Sequence, residues 1–144
     1  MTHARKQIRD AGKALITGLT TTGSQVHASR SYTLKTLPAL RIYTNEEDIE
    51  PDNLSSPCDL MRVLNIVVEA VVAKNDTLDD ELDKIIAEVE IVMGGSTLSG
   101  LVRELILTNI EIEMSAESNI ETGVARMTWR AEYRTKENAP EVVT

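Results

Sequence analysis

Apolar residues recur at helical spacing near the start of the chain: Ile8, Ala11, Leu15 and Leu19 share one side, while Arg5, Lys6, Arg9 and Lys13 take the others. This predicts an amphipathic helix over 3–19, ended by Gly18 and the turn formers at 20–23. A strand is predicted over 25–32, and Pro38 marks the entry to another over 39–44. Residues 45–59 combine acids, two prolines and turn formers, and are expected to form a long connecting loop. The Val-rich run 60–73 is too β-branched and too aperiodic for a helix, so it is expected to be a long strand. Asn65 and Glu69 fall on one face of it.

A second helix is predicted over 77–93, with Thr77 as N-cap, acids in the first turn, and a stripe of Leu78, Leu82, Ile85, Ile86, Val89 and Val92/Met93. Gly94 and Gly95 stop it. The period then changes to two. Over 102–114, Val102, Ile106, Ile110, Ile112 and Met114 are assigned to one face. Over 124–135, Ala125, Met127, Trp129, Ala131 and Tyr133 alternate with Arg126, Thr128, Arg130, Glu132 and Arg134. The two runs form an expected antiparallel hairpin. The order α-β-β-β-α-β-β implies an α+β fold, a mostly antiparallel sheet with two helices packed on one face. The other face must be solvated or covered by another copy. One domain is expected over 1–135, followed by a frayed polar tail over 136–144.

Composition narrows this picture. With 144 residues the chain can bury one sizeable core, and with no Phe that core must be aliphatic. No apolar stretch has membrane-spanning length, and the charged N-terminus does not resemble a signal peptide. A single Cys58 excludes an intrachain disulfide, and a cytosolic origin is expected. Charge is uneven: residues 1–44 carry seven bases and one acid, whereas 45–144 carry eight bases and 22 acids, which together give the net −8. Surfaces of opposite sign suit head-to-tail self-association. The net negative charge argues against tight wrapping by nucleic acid.

Candidate chemistry fails residue by residue. The run from Gly94 to Gly100 has Leu98 where a nucleophile elbow needs Gly, and it lacks the Lys of a phosphate loop, so it is expected to be a turn. His3 and His27 have no carboxylate or thiol at ligand spacing. Without a general base neither a Ser nor Cys58 is activated, and Cys58 has no basic neighbour to lower its pKa. Asp79, Asp80, Glu81, Asp83, Glu88 and Glu90 scatter over the flank of the second helix and are expected to be solvated. No enzyme activity, metal or cofactor is expected.

Several segments carry a resemblance. His3-Ala4-Arg5-Lys6-Gln7-Ile8-Arg9-Asp10-Ala11, Leu19-Thr20-Thr21-Thr22-Gly23-Ser24 and Ser29-Arg30-Ser31-Tyr32 belong to it. So do Leu37-Pro38-Ala39-Leu40-Arg41-Ile42-Tyr43-Thr44 and Leu78-Asp79-Asp80-Glu81-Leu82-Asp83. Together with the element order they resemble tail terminator proteins of long, non-contractile-tailed bacteriophages, the lambda-type minor tail protein U-like family, over about 1–135.

The resemblance implies a structural virion protein, assembled in the host cytoplasm, that forms a homohexameric ring on the head-proximal end of the tail tube. Its partners would be the major tail tube protein and a head-completion or stopper protein, with genomic DNA passing through the lumen and no membrane involved. Within that setting Glu46, Glu47, Asp48 and Glu50 are assigned to an acidic loop facing the lumen or the tube, and Arg5, Arg9 and Arg30 to the subunit interface. The competing assignments are another neck or tail component, such as a head–tail joining or tail-tube protein, and a small cytosolic ligand-binding or regulatory subunit.

Overall fold

The structure, a computed structural model, describes residues 2–29, 34, 36–117 and 120–144. Helix α1 spans Ala4–Ile16 and α2 spans Leu78–Met93; the strands are β1 Val26–His27, β2 Ala39–Pro51, β3 Asp59–Ala73, β4 Glu104–Glu117, β5 Ile120–Lys136 and β6 Ala139–Val143. They form one sheet in the order β1-β2-β3-β5-β4, with β6 also paired to β5. Only the short β1–β2 pair is parallel among the pairings described. The expected α+β order is therefore observed, with β6 added at its end.

Both helices cover the same face. α1 buries Ala4, Ile8, Gly12 and Ile16, and α2 buries Leu78, Leu82, Ile85, Ile86, Val89 and Met93. They meet Leu40 and Ile42 of β2, the even-numbered residues from Leu64 to Val72 of β3, and Met127, Trp129, Ala131 and Tyr133 of β5 in one core. The alternation expected for β5 is what is seen. On the opposite face Val71, Ala39 and Val124 form a smaller cluster with Leu34 and Leu37. Leu34 and Leu37 thus cover part of the face away from the helices, which explains why β3 is apolar on both sides.

Several sequence expectations change. The α1 stripe lies one step away from the expected one, because the small residues Ala4 and Gly12 let the helix approach the sheet closely. A Cβ built on Gly12 would lie 2.8 Å from Ile42 Cδ1. The helix ends at Ile16, leaving Ala11, Leu15 and Leu19 packed at the margin of the core. Thr77 makes no side-chain capping bond; instead Asn75 Oδ1 accepts from Thr77 N at 2.8 Å and from its hydroxyl at 2.9 Å.

β1 has two residues in place of the expected eight, and residues 30–32 of that expected strand lie outside the described residues. In β4 a bulge between Leu107 and Asn109 reverses the side-chain parity. Ile106, opposite Arg130, therefore faces away from the helices, whereas Ile110 and Ile112, opposite Met127 and Ala125, face the helix side; Val102 precedes the strand. Finally, 136–144 is not a frayed tail. β6 pairs with β5, Thr144 N donates to Arg134 O at 2.9 Å, and Gln7 Nε2 donates to Glu141 O at 2.8 Å.

Candidate functional site

The acidic segment is not a loop. Residues 45–51 continue β2 past a bulge between Thr44 and Glu46, antiparallel to the first half of β3, so the true connection is only 52–58. Strand alternation then separates the four acids assigned together from sequence. Glu46, Asp48 and Glu50 are exposed, and their registered partners Asn65, Val63 and Met61 place them on the face away from the helices.

Glu47 points to the other face and is buried, its side chain only 3% exposed. Its Oε1 lies 2.8 Å from Arg62 Nη1, and its Oε2 accepts from the Tyr133 hydroxyl at 2.6 Å. Arg5 Nη1 approaches at 4.0 Å, and Arg62 Nε donates to Thr135 Oγ1 at 3.0 Å. The network ties the start of α1 to β2, β3 and β5. Burial, then the hydrogen bond to Glu47, raises the Tyr133 hydroxyl well above its ordinary pKa, so Tyr133 is a fixed donor. Glu47, Arg62 and Tyr133 hold the fold from inside, so Glu47 is removed from any acidic wall facing solvent.

The arginines assigned to an interface also separate. Arg5 is half exposed while reaching Glu47. Arg9 is partly buried, and its Nε has no hydrogen-bond partner among the described residues. Arg30 lies outside the described residues.

On the face away from the helices a row of alternating charge crosses the sheet. Arg41, Glu69, Arg126 and Glu111 occupy matched positions on β2, β3, β5 and β4. Glu69 lies 3.4 Å from Arg41 Nε and 2.7 Å from Arg126 Nε, and Arg126 also pairs with Glu113. Burial draws the Arg126 pKa down, but the hydrogen bonds to Glu113 and Glu69 outweigh it and hold the guanidinium above its ordinary range. Sequence reasoning treated Glu69 as a polar interruption; its alignment with Arg126 becomes visible only once the pairing of β3 and β5 is known.

β4 lies at the sheet's edge and has no strand partner beyond β5 among the described residues. On its helix side Ile110, Ile112 and Met114 are 39%, 48% and 55% exposed, because the helices cover the inner strands and leave this edge open. A shallow depression lined by Lys74, Met114, Ser115 and Glu121 continues this strip, with Lys74 Nζ 3.1 Å from Glu121 Oε2. An open edge strand and an exposed apolar row are features of surfaces that another chain covers.

The remaining candidates have structural partners. His3 caps α1, its Nδ1 accepting from Arg5 N at 3.0 Å; burial and then Arg5 lower its pKa. Burial and then Lys13 lower that of His27. Cys58 N donates to Glu137 Oε1, and burial followed by this carboxylate raises the thiol pKa. Of the α2 acids, Glu88 departs from the expected solvated role: Oε1 accepts from Thr21 N at 3.0 Å and Oε2 from the Thr21 hydroxyl, joining α2 to the 17–25 turn. Among the described residues no group of three or more His, Cys, Asp or Glu side chains could hold a metal ion, and no helix is long and apolar enough to cross a membrane.

Comparison with known proteins gives a distant structural likeness. The chain is similar to a chain in a solved structure described as "Virion of native gene transfer agent (GTA) particle", at a TM-score of 0.48 and 14% sequence identity over 90% of this chain and 92% of that one. No family model and no curated protein matches it.

Proposed function

We propose that this protein is a non-enzymatic virion component, a tail terminator that forms a ring on the head-proximal end of a phage tail tube. There it ends tube growth and offers the surface on which the head is joined. The observation that carries this reading is the open β4 edge with its exposed apolar row, on a chain whose α1 carries bases on a separate surface. Unlike surfaces on one chain suit heterologous contacts, which close into rings when the rotation per subunit permits. The segments that resemble tail terminators, and the α-β-β-β-α-β-β order, support the same reading.

In such a ring no bond is made or broken; the work is recognition of the last tube ring. Glu46, Asp48 and Glu50 would face the lumen or the tube-facing rim, where a negative wall denies passing DNA the counterion release that drives phosphate binding. Neutralising these three should slow DNA ejection, and unchanged ejection would remove that assignment.

The direct test adds labelled protein to growing cognate tail tubes and images them. Growth should stop, with label at one end. Label spread along the tube would favour a tube-protein role, and unaffected, unlabelled tubes would sink the terminator reading.

A further inference from the structure

Two surfaces of this chain have matching chemistry and lie apart from each other. The first is the β4 edge. Ile110, Ile112 and Met114 project on its helix side, while Glu111 and Glu113 project on the other, opposite Arg126 and Val124. From Glu104 to Ser115 the sequence contains three acids and no base. Apart from the bulge at Thr108, this edge carries none of the lysines or prolines that discourage a neighbouring chain.

The second surface is the flank of α1. Arg5, Arg9 and Lys13 recur every four residues, one position along from the buried line Ala4, Ile8, Gly12 and Ile16, and Lys6 lies beside them. Ile49, 47% exposed, follows Glu47 by two residues on the same face of β2, and Arg5 reaches that Glu47. The flank is therefore basic, bordered by an exposed apolar side chain.

Other occupants of the β4 edge fit worse. A second β4 would bring Glu111 and Glu113 against acids of the same kind, and like charges across strands are destabilising. The free edge of β2 would bring Glu46, Asp48 and Glu50. Long basic side chains, in contrast, can lay their methylene stems over apolar residues while their charged heads reach carboxylates.

We infer that the β4 edge of one copy seats the basic flank of α1 of a second copy, with the arginine and lysine stems over Ile110, Ile112 and Met114 and their heads at Glu111 and Glu113. Each copy then gives α1 to one neighbour and β4 to the next. This deepens the ring reading and rests on it.

The test is a charge swap in the full chain, read by sedimentation velocity and light scattering over a wide concentration range. Wild type should self-associate, and less so as salt rises. Glu111→Lys alone and Arg9→Glu alone should each raise the association midpoint at least tenfold. Mixed in equal amounts, the two variants should recover the wild-type mass, because a reversed α1 now meets a reversed β4. An alternating ring of this kind closes only with an even number of subunits.

Fluorescence of the single, buried Trp129 reports whether each variant retains the native core. If Arg9→Glu does not fold, Lys6→Glu, at a side chain 50% exposed, replaces it. A monomeric wild type, a variant that associates as wild type does, or a mixture that fails to recover would each overturn the inference. Tube capping by the same samples is scored separately: capping without self-association removes this contact and leaves the terminator reading, whereas wild type that does not cap removes the reading itself.

Discussion

Replacing Glu47 by Ala tests whether the acidic segment belongs partly to the core. The substitution strands Arg62, whose side chain is 7% exposed, and deprives the Tyr133 hydroxyl of its acceptor. Breaking a buried ion pair by deleting one member costs about 3–5 kcal/mol. An orphaned buried hydroxyl adds about 1–3 kcal/mol. Two contacts survive to offset part of this: Arg62 Nε still donates to Thr135, and the guanidinium carbon lies 6.0 Å from the centre of the Tyr133 ring. A net loss of about 3–5 kcal/mol follows, a large share of the roughly 5–15 kcal/mol that holds a domain folded. For a chain of this size it should lower Tm by roughly 10–17 °C. Urea unfolding followed by Trp129 fluorescence measures it. Glu46→Ala, one residue away and facing solvent on the other side, should stay within about 0.5 kcal/mol. Adding Arg62→Met to Glu47→Ala should recover part of the loss, since the stranded charge is gone. Equal midpoints for Glu47→Ala and Glu46→Ala would refute the assignment of this carboxylate to the interior.

Two further outcomes follow from the same packing. The lowered pKa of His3 means that its neutral form is favoured in the fold, so its contribution is complete above the unfolded value of about 6.5 and is lost as pH falls through the folded value. Wild type should therefore lose α1 amide protection on acidification in hydrogen exchange, and His3→Asn, which keeps a capping acceptor, should lose less. Gly12→Ala should be destabilising because its Cβ meets Ile42 Cδ1, whereas Ile42→Val removes that methyl. The double variant should be more stable than the two single effects sum to, and additivity in urea unfolding would show that α1 does not approach the sheet as described.

The elements with strong periodicity were legible in the sequence. α2 announces itself through first-turn acids, a clean stripe and Gly94-Gly95, and β5 through strict alternation around Trp129. Residues 45–51 were not legible as strand, because Glu46, Glu47, Asp48, Glu50 and Pro51 belong to types depleted in strands. They pair because β3 is too long for a six-residue β2 to cover. Arg62, inside a Val-rich run, was the available signal: a basic residue due for burial needs an acid opposite it. The exposed row of β4 was misplaced because one extra residue at Thr108 inverts alternation, and no local composition marks it. Of the candidate site, charge asymmetry was visible, but the open edge is a property of strand order, which sequence pattern does not specify.

The charged row across the face away from the helices solves an alignment problem that the apolar pattern leaves open. Strand side chains repeat every two residues, so sliding β5 against β3 by two keeps every apolar residue on its proper face and looks acceptable to the core. The slide would carry Glu69, 5% exposed, from Arg126 to Val124 or Thr128, breaking its 2.7 Å ion pair and leaving this nearly buried carboxylate only the longer contact to Arg41 at 3.4 Å. Sliding β2 by two would similarly move Arg41 opposite Val67 or Val71. Each wrong alignment breaks one ion pair of a nearly buried carboxylate, so Arg41, Glu69 and Arg126 act as a key that favours one setting of three long strands.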